Sequence, residues 1–353
     1  MKVATDVLLA DPVFQLNVVL WTVQPLPPTA PIEPVLRRAG YELHAVGPPL
    51  PAAPSARPAL LMLVGSADAP KPDVVLAHHT DPSFLVVECK AQGFGSGGAG
   101  ERQVVKLLAA AHSLNGPLGL PVNPDRPGYV AYLTVAPEHS MLLVTLLGAQ
   151  ERLREEGVAP GGAGTLGLHA EDDGVWVDAG QVDEWPPPAA AALANRVRIV
   201  SFSSPGEDPR PFYLIPWVPD VAGGQDPQLA AFGKAVLGAN VLNAAKSAVG
   251  RADVPGPVVM RMDRLLHDAT LGVTDFWRDR DDYRLLLRAC QDFVARPLRG
   301  IESRITLVVS SGPELVQFTL PSETVRDEVL ALLHGASPAA FEPSGTATLF
   351  DVQ

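Results

Sequence analysis

Asp73 opens the apolar run Pro72-Asp73-Val74-Val75-Leu76, and a Glu and a Lys two apart close the next run, Phe84-Leu85-Val86-Val87-Glu88-Cys89-Lys90. Residues i and i+2 of a strand share a face. A strand over 84–90 therefore projects Glu88 and Lys90 together, with Phe84 and Val86 behind them, while Leu85, Val87 and Cys89 face the other way. Charges at the ends of otherwise buried strands are costly unless they pair or bind a metal. Asp73 and Glu88 suit a hard cation such as Mg²⁺, which takes oxygen ligands and keeps several waters. Lys90 beside it would orient a water or offset negative charge developing on a substrate. The ordinary alternative is a Glu88–Lys90 ion pair on an exposed edge strand. Against it, Leu85-Val86-Val87 is apolar on both faces, which predicts a central strand.

Other residues carry weaker chemical signals. Gly93-Phe94-Gly95-Ser96-Gly97-Gly98 matches the dinucleotide pattern GxGxxG between a strand and a helix. However, the preceding strand ends in charge and no acidic residue stands about twenty positions on; the next acid, Asp125, lies in a Pro-rich loop. No Gly-Lys-Ser/Thr follows, so it is not a P-loop. His78-His79 lacks the further Cys or His at the spacing a zinc site needs, and the pair reads as strand-end histidines beside a turn. Cys89 reads as a small core residue rather than a nucleophile. Arg280, Arg284 and Arg288 recur at four-residue spacing within an Arg-rich stretch that includes Arg278, with Asp279, Asp281 and Asp282 interleaved. A solvated, salt-bridged helix face explains them; a face free of partners would instead follow a nucleic-acid backbone, with Trp277 and Tyr283 as stacking groups.

The elements that must position these groups follow from periodicity. Strands are expected over Asn17–Val23, Tyr41–Val46, Ala59–Val64, the two runs above, and Tyr129–Val135. Thr165–His169 and Val175–Asp178 pair as a hairpin, and Val197–Phe202 and Phe212–Trp217 read as further strands. Helices are expected over Ile32–Ala39, Glu101–Ser113, His139–Glu156, Gln228–Gly250, Val258–Thr270 and Asp281–Ala295. A hairpin over Arg304–Val309 and Val316–Leu320 precedes a last helix, Ser322–His334. The boundary falls at Trp185-Pro186-Pro187-Pro188 and its alanine run. That gives a domain over 1–184, a Pro/Ala-rich linker over 185–194, and a C-terminal α+β domain over 195–353. Helices followed by a hairpin and a helix are similar to a winged-helix module.

Length and composition bound the rest. The 353 residues suggest about two domains. The net charge of −12 is spread over both halves, about 11 basic against 20 acidic residues before Leu193 and about 16 against 19 after it. This argues against tight non-specific binding of nucleic acid by charge alone. Two cysteines make no disulfide framework, no signal-peptide layout opens the chain, and no apolar run reaches the roughly 18 residues of a membrane span. A reducing cytoplasm is expected, with no membrane partner.

The order helix, strands, Asp-headed strand, Glu-x-Lys strand, helix, strand resembles the PD-(D/E)XK nuclease superfamily, the restriction-endonuclease-like fold, on Pro72-Asp73 and Glu88-Cys89-Lys90. The resemblance covers about residues 30–136. It implies an α/β core with a central mixed sheet flanked by helices, and Mg²⁺-dependent hydrolysis of phosphodiester bonds, with Mn²⁺ as an alternative cation. It assigns Asp73, Glu88 and the main-chain carbonyl of Cys89 to the metal and Lys90 to the attacking water. Some subfamilies place a supporting glutamine on the next helix, where Gln103 stands, although the usual aromatic four residues on is Leu107. Some relatives carry an extra acid on the first helix, where Glu33 stands; a free surface Glu is the simpler reading. The implied substrate is DNA rather than RNA, the implied role restriction or antiviral defence, and cutting both strands favours a homodimer. A partner protein or nucleic acid is the expected ligand of the C-terminal domain. The rival expectation is a non-catalytic nucleic-acid- or protein-binding module that keeps the fold.

Overall fold

A computed structural model describes residues 5–25, 32–80, 83–95, 97–112, 128–180, 185–201, 213–218, 227–277 and 281–336. The chain divides into two compact units, 2–212 and 213–348. In the first, the elements are α1 (Thr5–Leu9), α2 (Pro12–Val23), α3 (Val35–Arg38), β1 (Tyr41–Val46), α4 (Arg57–Val64), β2 (Val74–His78), β3 (Phe84–Cys89), α5 (Ala99–Ala111), β4 (Tyr129–Val135), α6 (His139–Glu155), β5 (Gly162–Glu171), β6 (Gly174–Gly180), α7 (Pro187–Leu193) and β7 (Val197–Ser201).

The seven strands form one mixed sheet in chain order. β1, β2 and β3 are an antiparallel meander, β3–β4 and β4–β5 are parallel, and β5–β6–β7 return to antiparallel. Parallel neighbours need a crossover, and α5 and α6 supply the two required here. Val104, Leu107, Leu108, Leu142, Leu146 and Leu153 of these helices form one hydrophobic core with Val86, Val130 and Tyr132 of the sheet. β3 is central and buried at every residue, as its two-faced apolar sequence predicts.

Two expected strands are helices. Asn17–Val23 belongs to α2, whose N-cap Asp11 accepts from the N–H groups of Val13 and Phe14 at 3.3 Å, with Pro12 in the first turn. All residues from Val13 to Val23 are buried, so the segment shows no polar face, and its β-branched content misleads. Ala59–Val64 belongs to α4, which starts at a proline-bearing turn and ends on Gly65 in the left-handed conformation, φ 70°. Leu61 and Met62 are exposed, so this run of apolar residues is not a core strand.

The expected linker, 185–194, is part of the first unit. Trp185 is buried, and a Cβ placed on Gly164 of β5 would lie 1.9 Å from its Nε1, so the indole occupies the space a side chain there would fill. α7 follows directly, and β7 closes the sheet against β6. Proline at the first turn starts this helix rather than preventing it.

The second unit contains α8 (Pro227–Gly250), β8 (Gly256–Arg261), α9 (Met262–Ala269), α10 (Asp281–Leu298), β9 (Val308–Val309), β10 (Leu315–Leu320) and α11 (Glu323–Gly335). Its antiparallel sheet has the order β8-β10-β9. The expected helix over Val258–Thr270 is thus a strand followed by a helix. Val258 and Met260 are buried while Val259 and Arg261 are exposed, the period of two that marks a half-buried strand. Tyr213–Val218 forms no strand; Phe202 and Phe212 lie outside the described residues.

Candidate active site

Strand pairing sets the site. β2 runs antiparallel to β3 with Val74 opposite Val87, which brings Asp73 to the end of β3 that carries Glu88. The Asp73 carboxylate is fixed there: its Oδ2 accepts the Cys89 N–H at 2.7 Å. Glu88 is 3% exposed, and its Oε1 receives Lys90 Nζ at 2.6 Å and Gln103 Nε2 at 2.7 Å. Gln103 Oε1 in turn accepts from Lys90 Nζ at 2.9 Å. Gln103 sits on the first turns of α5, the crossover helix, and its amide bridges the acid and the amine. Glu88, Lys90 and Gln103 therefore form one hydrogen-bonded network, Asp73 is held at the same end of β3 through the Cys89 N–H, and the Glu88–Lys90 pair is not an ion pair on an edge strand.

Burial dominates the electrostatics. Desolvation pushes the Glu88 carboxyl up to about 8, and the negative Asp73 adds to the rise, while Lys90 and the hydrogen bonds from Lys90 and Gln103 oppose it. Glu88 Oε2 is buried with no hydrogen-bond partner. A buried acceptor next to a second carboxylate is the kind of position a cation or a proton satisfies. Among the described residues no group of three or more His, Cys, Asp or Glu side chains is placed to hold a metal. The donor set here is two carboxylates with main-chain oxygen nearby, which fits Mg²⁺ and not a zinc site. The Cys89 thiol is buried, and its pKa is driven well up by burial and then by Asp73 and Glu88, which rules out a nucleophilic thiolate.

Two residues of the site had no part in the sequence reading. Gln15 of α2 is fully buried, and its Nε2 donates to the main-chain oxygens of Leu9 at 2.8 Å and Lys90 at 3.1 Å, holding the chain where the lysine leaves β3. A glutamine inside the apolar run Val13–Val23 was the signal. Tyr132 of β4 lies opposite Glu88 in the parallel register and is fully buried, with its hydroxyl unpartnered. Burial, then Glu88 and Asp73, raise its pKa well above the usual phenol value.

The remaining candidates have structural roles. His78 Nε2 and His79 Nδ1 lie 2.8 and 2.7 Å from the carbonyls of Ala39 and Gly40, and their rings stack at 4.9 Å. The glycine-rich loop seats Phe94 edge-on to Tyr132 at 5.9 Å, and a Cβ on Gly100 would lie 2.6 Å from the Phe94 ring. Glu33 pairs with Arg38 at 2.6 Å on the surface. Arg278, Asp279 and Arg280 lie outside the described residues. No helix among the described residues is long and apolar enough to cross a membrane. Comparison with family models, curated proteins and solved structures finds no match to this chain.

Proposed function

We propose that this chain is a Mg²⁺-dependent phosphodiesterase of the PD-(D/E)XK type acting on DNA, with Mn²⁺ able to replace Mg²⁺. The observation that carries the reading is the meeting of Asp73, Glu88, Lys90 and Gln103 at the end of β3. The meander β1-β2-β3, the crossover α5 and the parallel β4 support the reading.

Asp73 and Glu88 would hold the cation, with the Cys89 carbonyl as a further oxygen ligand. When bound, the cation supplies charge neutralisation at the phosphate and acidifies a bound water. Burial of Glu88 keeps its interactions strong, because few waters compete with them. Gln103 restrains both Glu88 and Lys90, so the ammonium is held toward the acid pair rather than free to rotate in solvent. In that place Lys90 orients the attacking water and offsets charge growing on the phosphoryl oxygens. Gln15 keeps the main chain at Lys90 from shifting, and misplacement of about 1 Å at such a site is costly.

The C-terminal unit, with its order helix, strand, helix, helix, hairpin, helix and the sheet β8-β10-β9, supports a winged-helix-like recognition module for nucleic acid or a partner protein. A role as an effector in bacterial restriction or antiviral defence, in the cytoplasm and as a homodimer that cuts both strands, completes the reading.

Plasmid cleavage with and without Mg²⁺ is the test, comparing the unsubstituted chain with Asp73→Ala and Lys90→Ala. Nicking that needs Mg²⁺ and falls by about 10² to 10⁴ in both variants supports the reading. Equal rates in all three chains end it. The second reading, a binding module without catalysis, draws on the closed Lys90–Glu88–Gln103 network, which satisfies part of the site with no ion. DNA binding with no cleavage under any divalent cation would favour it.

A further inference from the structure

Arg284, Arg288, Arg296 and Arg299 are exposed, the first three on one face of α10 and the fourth just past its C-terminus, in a 3-10 turn. None of the four takes part in an ion pair or a hydrogen bond among the described residues. Arg251 likewise bonds only a main-chain oxygen, that of Ser247, whereas four other arginines of the unit have carboxylate partners. Arg261 pairs with Asp263, Arg264 with Asp268, Arg304 with Glu328 and Arg326 with Glu323. Carboxylates are plentiful: residues 213–348 hold 16 Asp and Glu against 13 Lys and Arg, a net of −3. Even Asp292, four residues from both Arg288 and Arg296 and exposed on the same helix, pairs with neither. Arg284 and Arg288, the members of the expected stripe that the described residues include, thus have no carboxylate partner among those residues.

Helix geometry narrows the ligand. Four residues advance about 6 Å, so Arg284 to Arg296 spans about 18 Å. A single phosphate or a small anion cannot engage guanidiniums so far apart; an extended polyanion can. All four cations are arginine, whose planar fork suits phosphate oxygens better than a lysine point charge. Gln291, on the same helix, ties the β9–β10 turn to it: its Nε2 donates to the oxygens of Ser310 at 3.2 Å and Gly312 at 2.9 Å. Helix and turn thus form one surface. Leu285 is 40% exposed beside Arg284 and Arg288, an apolar group suited to contact between the charged ones.

We propose that this face of α10, with the adjoining β9–β10 turn, binds the phosphate backbone of duplex DNA. The surface rests on the reading of the chain as a DNA enzyme for its choice of polyanion, and on the arginine geometry for its place. A helix of about 10–12 Å diameter fits the B-form major groove, about 12 Å wide, with flanking arginines on the phosphates of either wall.

The experiment uses the full chain bearing Lys90→Ala, in chelator so that no strand is cut, and measures anisotropy of a labelled duplex across a salt series. Four phosphate contacts predict log K falling with log salt at a slope of about −3.6, and replacing Arg284, Arg288 and Arg296 by Ala should reduce it to about −0.9. The same three changed to Lys should keep most of the slope, and thermal melts of both triple variants should match the parent. A slope unchanged in the Ala triple, no duplex binding at low salt, or an equal loss from Arg261→Ala with Arg264→Ala would overturn the proposal. Tighter binding of duplex RNA or of an acidic peptide would overturn the choice of DNA. DNA binding through this face by a chain that never cleaves would uphold this inference and end the hydrolase reading; cleavage with an unchanged slope would do the reverse.

Discussion

The end of β3 and the outer face of α10 treat charge in opposite ways. At β3, Glu88 is removed from water and bonded at once by Lys90 and Gln103, and its remaining oxygen is left for a cation or a proton. On α10, arginines stand in solvent with no partner among the described residues, although a carboxylate, Asp292, lies one turn away from two of them. The first arrangement costs desolvation and yields a rigid, strongly coupled group. The second costs almost nothing in the folded chain and leaves its attraction for whatever arrives. Geometry that must be accurate is built from buried, mutually bonded groups; long-range capture needs only exposed ones.

The sharpest way to break this contrast is to remove a charge that faces buried Glu88. Lys90→Ala or Asp73→Ala should lower Mg²⁺-dependent cleavage by about 10² to 10⁴, about 3–5 kcal/mol in barrier, measured as initial nicking rate. Retention of the parental rate in either variant would mean the buried cluster is only structural. A structural control comes next: Gly164→Ala forces a Cβ against the Trp185 indole and should cost about 1–3 kcal/mol in urea unfolding. An unmoved midpoint would show that Trp185 does not sit on β5, and with it the attachment of residues 185–201 to the sheet would fall.

The sign of a pH effect sharpens the comparison further. Glu88 binds its proton more tightly folded than unfolded, because burial and Asp73 raise its pKa. Its contribution to stability is complete below its unfolded pKa and is lost as pH rises toward about 8. Glu88→Gln lacks that loss, so melting temperatures in chelator should diverge in favour of the variant between pH 5 and pH 8, a window set by the ordinary glutamate value of 4.5 and the folded value of about 8. Mg²⁺ should narrow the gap for the parent alone. A gap that stays constant with pH would contradict the buried, proton-binding state. The smallest effect belongs to α10: Arg284→Ala should move stability by no more than about 0.5 kcal/mol, since an exposed, unpaired side chain holds nothing in place. A larger loss would reveal a hidden structural role.

The acid–amine motif was legible because it depends only on short-range order. The period of two along Phe84–Lys90 set which residues share a face, and the apolar residues on both faces announced a central strand before any partner was known. Helices α5, α6, α8, α10 and α11 were likewise announced by spacing. Two of the failures share one cause. Asn17–Val23 and Ala59–Val64 are apolar without a readable period, and such runs suit a strand or a buried helix equally until neighbours are present. Trp185-Pro186-Pro187-Pro188 resembles a break in the chain, yet the indole lies against Gly164 and the sheet continues to β7.

Residue type and local spacing thus set on which face of their own strand Glu88 and Lys90 stand, because that property depends on a few bonds. The contacts of Gln15 with the Lys90 carbonyl, of Tyr132 with the row that holds Glu88, and of Asp73 with the Cys89 amide join segments 16 to 75 positions apart. Only the packed sheet decides these, since strand order and register are set by burial summed over the whole unit. The same holds for Arg284, Arg288 and Arg296 of α10: Asp292 lies one turn from two of them, and only the folded helix leaves it unpaired with either among the described residues.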